Sequence, residues 1–291
     1  MTGLLTGAGR PDTTTAPAGL GRRLLHHQGF VVGLIGVVAL LIVAVVGPSL
    51  VGDPDATRFT EQLLPPSARF PLGTDSAGRD VLARTVYGAR VSLLAALVVF
   101  AITTTIGITV GVTAALAGGR IDAFLCRCCD VMLGLPSLVM ALAIVGALGP
   151  GLTNLVLAMS LTGWAGLAKL CRSLALDCRH RGDVIAARMA GVSPTRIAVG
   201  HILPSVLVYG LISATLGLGE TVLGLAGMSF LGLGVQPPTA EWGSMLNSSR
   251  IDLAVAPWLL IGPGVGLILI VTSVTLISDA LRDCVDLKEM S

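Results

Sequence analysis

Charge is what this chain of 291 residues has least of: 12% of its residues are charged, about half the 25% of a soluble domain. So few polar groups cannot cover a globular surface of this size, which excludes a soluble fold and leaves the bilayer as the solvent. Basic clusters are also missing. The net charge is +2 and the cations are scattered, which speaks against nucleic acid as a partner. Lysine is rare beside arginine, and with the abundance of Ala, Gly and Val this reads as a coding bias without functional weight. No GxSxG elbow, HExxH helix or pair of membrane aspartates appears, so an intramembrane hydrolase has no machinery here. The Walker A pattern is absent too, and the chain therefore has no ATP site of that kind.

What the chain has in quantity is apolar runs: 53% of residues are hydrophobic and the mean hydropathy is +0.86. A bilayer-crossing helix takes about 20 mostly apolar residues. That length predicts six spans, near 30–50, 91–117, 131–149, 152–169, 204–226 and 257–279, the third and fourth parted by the tight turn LGPG at 148–151. Only helices satisfy the backbone in such runs, so the expected class is an all-α polytopic membrane protein. Residues 1–29 are too polar, and too long before the first apolar run, for a cleaved signal peptide, and are expected to form a disordered cytoplasmic tail ending in Arg22, Arg23, His26 and His27. Basic residues concentrate in the tail and in the loops around Arg120, Arg127, Lys169 to Arg196 and Arg282. That bias predicts both termini inside. All six cysteines then lie at or near the cytoplasmic side, where structural disulfides are not expected.

One charged passage interrupts the oil: DVIAARMAGVSPTRIAVGHILP, from Asp183 to Pro204. Val184 to Ala190 are good helix formers, and Gly191 can take the left-handed conformation that ends a helix. Ser193 and Pro194 then supply an N-cap and first-turn residue for a second short helix, and Pro204 is expected to open the next span. Ala186, Ala187, Ala190 and Gly191 leave a surface that another protein could approach closely. By periodicity alone the passage reads first as an amphipathic connector resting in the headgroups.

Three other features carry chemistry. CRCCD at 126–130 places thiolates two and three residues apart, but no second Cys or His pair completes a tetrahedral metal site, and small apolar packing residues are the commoner use of free cysteine. In 71–94, Asp75 or Ser76 can cap a helix whose Arg79, Asp80, Arg84 and Arg90 alternate with apolar residues, entering the bilayer obliquely. An interfacial helix without substrate contact reads the same charges. Glu220 is the acidic residue deepest in a predicted span and is a candidate for the path or gate, with hydrogen bonding between helices as the alternative.

The spacing Ala186-Ala187, Gly191, Leu203-Pro204 resembles the EAA loop of permease subunits from binding-protein-dependent ABC importers. PLGTDSAGRDVLARTVYGARVSLL (71–94), MSFLGLGVQPPTAEWGSML (228–246) and LISDALRDCVDLK (276–288) are similar to the C-type permease subunits of dipeptide and oligopeptide importers. The resemblance covers the chain from about residue 25. It implies a type I importer fold: first helix at 30–50, an extracytoplasmic loop and oblique helix at 51–90, and a five-helix core at 91–280. A cytoplasmic coupling loop at 170–203 and a tail at 281–291 complete it. It further implies a cell-membrane complex with a homologous B-type permease, two ATPase domains, separate or fused, and an extracytoplasmic solute-binding protein. ATP and Mg belong to the ATPases, and this chain carries no cofactor. Coupling then falls to Asp183, Val184, Ile185, Ala186, Ala187, Arg188, Ala190, Gly191, Leu203 and Pro204. Path or gate candidates are Glu220, Ser229 and Phe230, and outer-loop candidates are Asp75, Arg79, Asp80 and Trp242, the last equally an interface anchor or a docking residue. Two positions depart from the pattern: Ile185 stands where a glutamate is frequent, and His201 where the pattern is apolar. Relatives of this build carry peptides, nickel, glutathione or other small solutes. A secondary transporter, the competing class, would show midplane charges or broken half-helices in inverted repeats, of which the spans contain little.

Overall fold

The structure is a computed structural model that describes residues 24–289, with side chains to residue 284. The disordered tail expected over 1–29 therefore lies mostly outside the described residues, and where it is described, at 24–26 and 28–29, the backbone is helical. Helix α1 (Gln28–Val46) leads through a short 3-10 turn at Gly47–Ser49 into an irregular segment. The rest is α2 (Val81–Ala117), α3 (Gly119–Leu133), α4 (Ser137–Leu148), α5 (Leu152–Thr162), α6 (Ala165–Cys178), α7 (Gly182–Met189), α8 (Pro194–Ile197), α9 (Leu203–Phe230), α10 (Trp242–Ser249) and α11 (Ile261–Glu289). No strand occurs among the described residues. Five helical stretches are long and apolar enough to cross a membrane, six if the bent pair α3 and α4 counts as one.

Five expectations about the spans need correction. The predicted third span is broken: α3 and α4 meet at 83°, because Pro136 cannot continue the ladder and disfavours helical backbone at Leu135. The 12 residues of α4 reach about 18 Å, short of a hydrocarbon core of about 30 Å. The second span starts at Val81, ten residues earlier than its apolar run. Its cap is Asp80, whose carboxylate accepts from Leu82 N at 2.9 Å, not Asp75 or Ser76. The fourth span runs on past residue 169 to Cys178, through a break at Gly163 and Trp164. The sixth likewise continues as helix through Glu289, where a tail was expected from 281.

Pro204 does not open the fifth span either. Helix α8 passes through a π turn at Ala198–Ile202 directly into α9, so the helical stretch runs from Pro194 to Phe230. Pro204 has no N–H, and its ring crowds the carbonyl one turn back; a wider turn at that point accommodates both. Of the expected coupling loop at 170–203, only 179–181 and 190–193 lie outside helices.

In packing, α2 is central, against α6, α9, α1 and α5, while α1 lies along α11. The main core joins Val81, Ala96 and Val99 of α2 to Val145, Leu155, Val222, Leu225, Trp242, Ile270 and Val274. A second cluster sits at the opposite end, around Ile108, Val112, Cys171, Ala175, Val184, Ile197, Ile202 and Val206. The long helices thus have two distinct ends. One is capped by residues 47–80 and 231–260, the other carries the elbow between α6 and α8.

Candidate functional site

The elbow is built from a helix stop of known chemistry. Gly191 has φ +79°, its N–H bonds to Arg188 O at 3.1 Å and Val192 N–H bonds to Ala187 O at 3.1 Å. These are the two reverse bonds of a Schellman motif, and they need a residue that tolerates positive φ. No atom stands within 4 Å of a Cβ placed at Gly191, so conformation and not space selects glycine. The next helix begins at Ser193 and Pro194 as the cap chemistry requires, although the Ser193 hydroxyl faces Thr195 Oγ1 and caps no N–H.

Val184 roots this elbow. It is 1% exposed and sits in the apolar cluster formed by α2, α6 and the helical stretch from Pro194; its burial contributes about 1.5–2 kcal/mol. Ala187, Val192 and Leu203 pack against the same cluster. Asp183, in the first turn of α7, faces Arg181 at 3.3 Å and His201 Nδ1 at 3.7 Å, and Arg181 donates to Ser205 Oγ at 3.0 Å. This set ties α7 across the elbow to the π turn. Everything else points outward: Ile185 is 44% and Met189 84% exposed, and Ala186, Arg188, Ala190, Gly191 and Pro204 are exposed as well. Behind the elbow a cleft of about 410 Å³ is lined by Leu116, Arg179, Arg188, Val192, Thr195 and Ile202 among others. Two ion pairs brace the neighbouring floor, Arg172 with Asp122 through bonds of 2.5 and 2.6 Å, and Lys169 with Asp130.

The candidates elsewhere fall into two groups. Glu220 is exposed on α9 and makes no hydrogen bond or ion pair among the described residues, so within this chain it glues no helices together. Leu216, four residues before Glu220, Leu223, three after it, and Phe230, seven beyond Leu223, are exposed on the same face. Ser229, by contrast, is buried at 2%, and a Cβ at Gly234 or Gly243 would strike its side chain. It is a packing residue.

The outer candidates form structure. Asp75 accepts from Ala77 N and Arg79 N and pairs with the Arg79 guanidinium at 2.7 Å. Trp242 is neither an interface anchor nor an exposed docking residue: it is 1% exposed, its indole donates to Thr85 O at 3.0 Å, and a Cβ at Gly266 would come within 2.6 Å of its ring. The sequence reading missed two residues here. Arg84 donates to Pro54 O, Asp55 and Pro238 O at 3.0–3.1 Å, fastening three segments together. Glu241, 3% exposed, accepts from Gly243 N, Ser244 N and Ser92 Oγ at 2.9–3.0 Å. Glutamate is not a usual N-cap type, so no capping signal marked it; Arg84 was visible only as one charge in an alternating series. Three of the cysteines serve packing: Cys129, Cys171 and Cys178 are buried among apolar side chains.

Comparison with known proteins now assigns the family. Residues 107–289 match the family described as binding-protein-dependent transport system inner membrane component, and residues 20–66 match the N-terminal TM domain of oligopeptide transport permease C. The chain is 39% identical to the dipeptide transport system permease protein DppC of Alkalihalophilus pseudofirmus, over 93% of this chain and 89% of that protein. It is 38% identical to the di/tripeptide transport system permease protein DppC of Pseudomonas aeruginosa, over 90% and 89%. It is also 40% identical to the nickel transport system permease protein NikC of Escherichia coli K12, over 80% and 84%. A secondary transporter is thereby set aside. An all-α bundle of multiple apolar helices with this match over more than half its length is a multi-pass inner-membrane permease component, and the chain belongs to the C-type permease family of binding-protein-dependent ABC importers.

Proposed function

We propose that this permease forms, with a homologous B-type permease, the translocation path for dipeptides or oligopeptides, and that partner ATPases drive it by seating on the elbow at 182–191. The observation that carries this reading is the division within the elbow: Val184 is locked into the ends of α2, α6 and the fifth span, while Ile185, Ala186 and Met189 are left facing out. A body pressing on that exposed face moves three spans through one buried root. ATP and Mg act in the ATPases. Their closure rocks the two permeases so that the cavity opens toward the binding protein, and hydrolysis resets it. The elbow end faces the cytoplasm and the capped end faces out, as the basic-residue bias requires.

Peptide transport is supported by the likeness to the dipeptide and di/tripeptide permeases above, which spans 93% and 90% of this chain; nickel is the second reading, supported by the NikC match. Glu220 lines the path. A carboxylate facing hydrocarbon costs several kcal/mol, and Glu220 lies ten residues, about 15 Å, from the end of α9 at Phe230, so a water-filled cavity is the setting in which it stays exposed.

The test is the purified complex in lipid with its binding protein. Di- and tripeptides should stimulate ATP hydrolysis and nickel should not; stimulation by nickel alone would reverse the substrate assignment. Glu220→Gln should slow uptake without changing the amount of assembled complex. Loss of assembly would instead place Glu220 at the interface between the permeases.

A further inference from the structure

The elbow's surface has a definite chemistry, and it specifies what the partner must offer. Its tip is apolar: Ile185 and Met189 are four residues apart on α7, one above the other on the same face, at 44% and 84% exposure. Its rim is cationic. Arg188 and Arg196 are exposed, and neither side chain makes a hydrogen bond or ion pair among the described residues. Arg179 spends one N–H on Leu116 O at 3.1 Å and lines the cleft behind the elbow together with Arg188. The carboxylate of α7 is not available as an outward anchor, because Asp183 is engaged by Arg181 and His201. Across 177–201 four arginines stand against two aspartates, and where an acidic anchor is frequent at the tip, this chain has Ile185.

We infer that the ATPase surface receiving this elbow is an apolar pocket bordered by carboxylates, so that docking rests on Ile185 and Met189 for contact and on Arg188 and Arg196 for charge. This rests on the proposed function, since it takes the occupant of the elbow to be the ATPase. A desolvated apolar tip supplies most of the affinity in such a contact, while rim charges set orientation and salt dependence. A carboxylate at position 185 would be driven into an apolar pocket beside like charges, and is the wrong residue for this socket.

The experiment is isolation of the full complex through a tag on this chain, with the ATPase subunits retained measured at low and high salt. Ile185→Glu is expected to lower retention at least about tenfold, and Ile185→Leu to leave it near wild type. Arg188→Glu with Arg196→Glu is expected to lower it at least about fivefold and to flatten its salt dependence. Wild-type retention in Ile185→Glu, or in the double reversal, overturns the inference. So does an effect of the double reversal confined to vesicles containing anionic lipid, which would make the arginines headgroup ligands. A photo-crosslinking residue at position 189 separates the two levels. Crosslinks to an ATPase chain with a harmless Ile185→Glu leave the docking site standing and remove its chemistry, whereas absence of any crosslink to an ATPase removes the docking reading itself.

Discussion

The capped end and the elbow end of this bundle solve opposite problems. At the capped end, buried polar side chains are engaged within the chain: Arg84 clasps two loops, Glu241 caps α10 and holds Ser92, and Thr74 bridges Leu64 N and Glu61 O. At the elbow end one apolar side chain, Val184, holds a helix of eight residues whose other groups mostly face out. A buried polar network that is satisfied rigidifies what it joins, so Arg84, Glu241 and Thr74 fasten the first end from within the chain. The second is not finished there. On the function proposed above, the exposed Ile185 and Met189 are the face that the ATPase covers.

The contrast can be broken or sharpened by substitutions on each side. Trp242→Ala should be the most damaging, costing about 3–5 kcal/mol because the indole fills the junction of α2, α10 and α11; a large loss of thermal stability of the detergent-solubilised protein is the expected outcome. Arg84→Met should follow at about 2–4 kcal/mol, since the Pro54 and Pro238 carbonyls and the Asp55 carboxylate lose a donor and Asp75 keeps only Arg79 of its two paired cations. Gly191→Ala should cost about 1–2 kcal/mol by forcing a Cβ into positive φ, and because the strain is local, uptake should fall further than stability. Met189→Ala should change stability by less than about 0.5 kcal/mol yet reduce ATP-driven uptake. If Met189→Ala unfolded the protein, or if Trp242→Ala were silent, the two ends would not differ in the way described.

Substitution of bulk to jam the elbow is also sharpened by burial. Ala187 packs against the inner cluster, so Ala187→Trp would disturb the root as well as the docking face. Ala186→Trp, at an exposed position, tests docking alone and should uncouple ATP hydrolysis from uptake while the complex stays inserted.

Much of this was legible before any coordinates. The helix stop at Gly191 and the start at Ser193 and Pro194 follow from backbone rules that act over five or six residues, and the helical class follows from hydropathy. Local chemistry also predicted a cap near the start of the second span, though at the wrong aspartate. Asp75 and Asp80 offer the same carboxylate, and which of them a helix uses depends on where the loop before it is fastened. The third span misled because hydropathy sums over Pro136 without registering the missing N–H.

What the sequence by itself determined is the solvent, the helical class, the elbow and the family, because these depend on composition or on residues adjacent in the chain. Only the tertiary structure decided which residues of one type play which part. Glu220 is left exposed and Glu241 is buried under two backbone N–H groups and a serine. Trp242 fills the core, and Val184 turns in while Ile185 turns out. Those assignments depend on contacts such as Ser92 with Glu241 or Arg84 with Pro238, about 150 residues apart in the chain, and burial at that range is set by how helices pack, not by what stands beside each residue in the sequence.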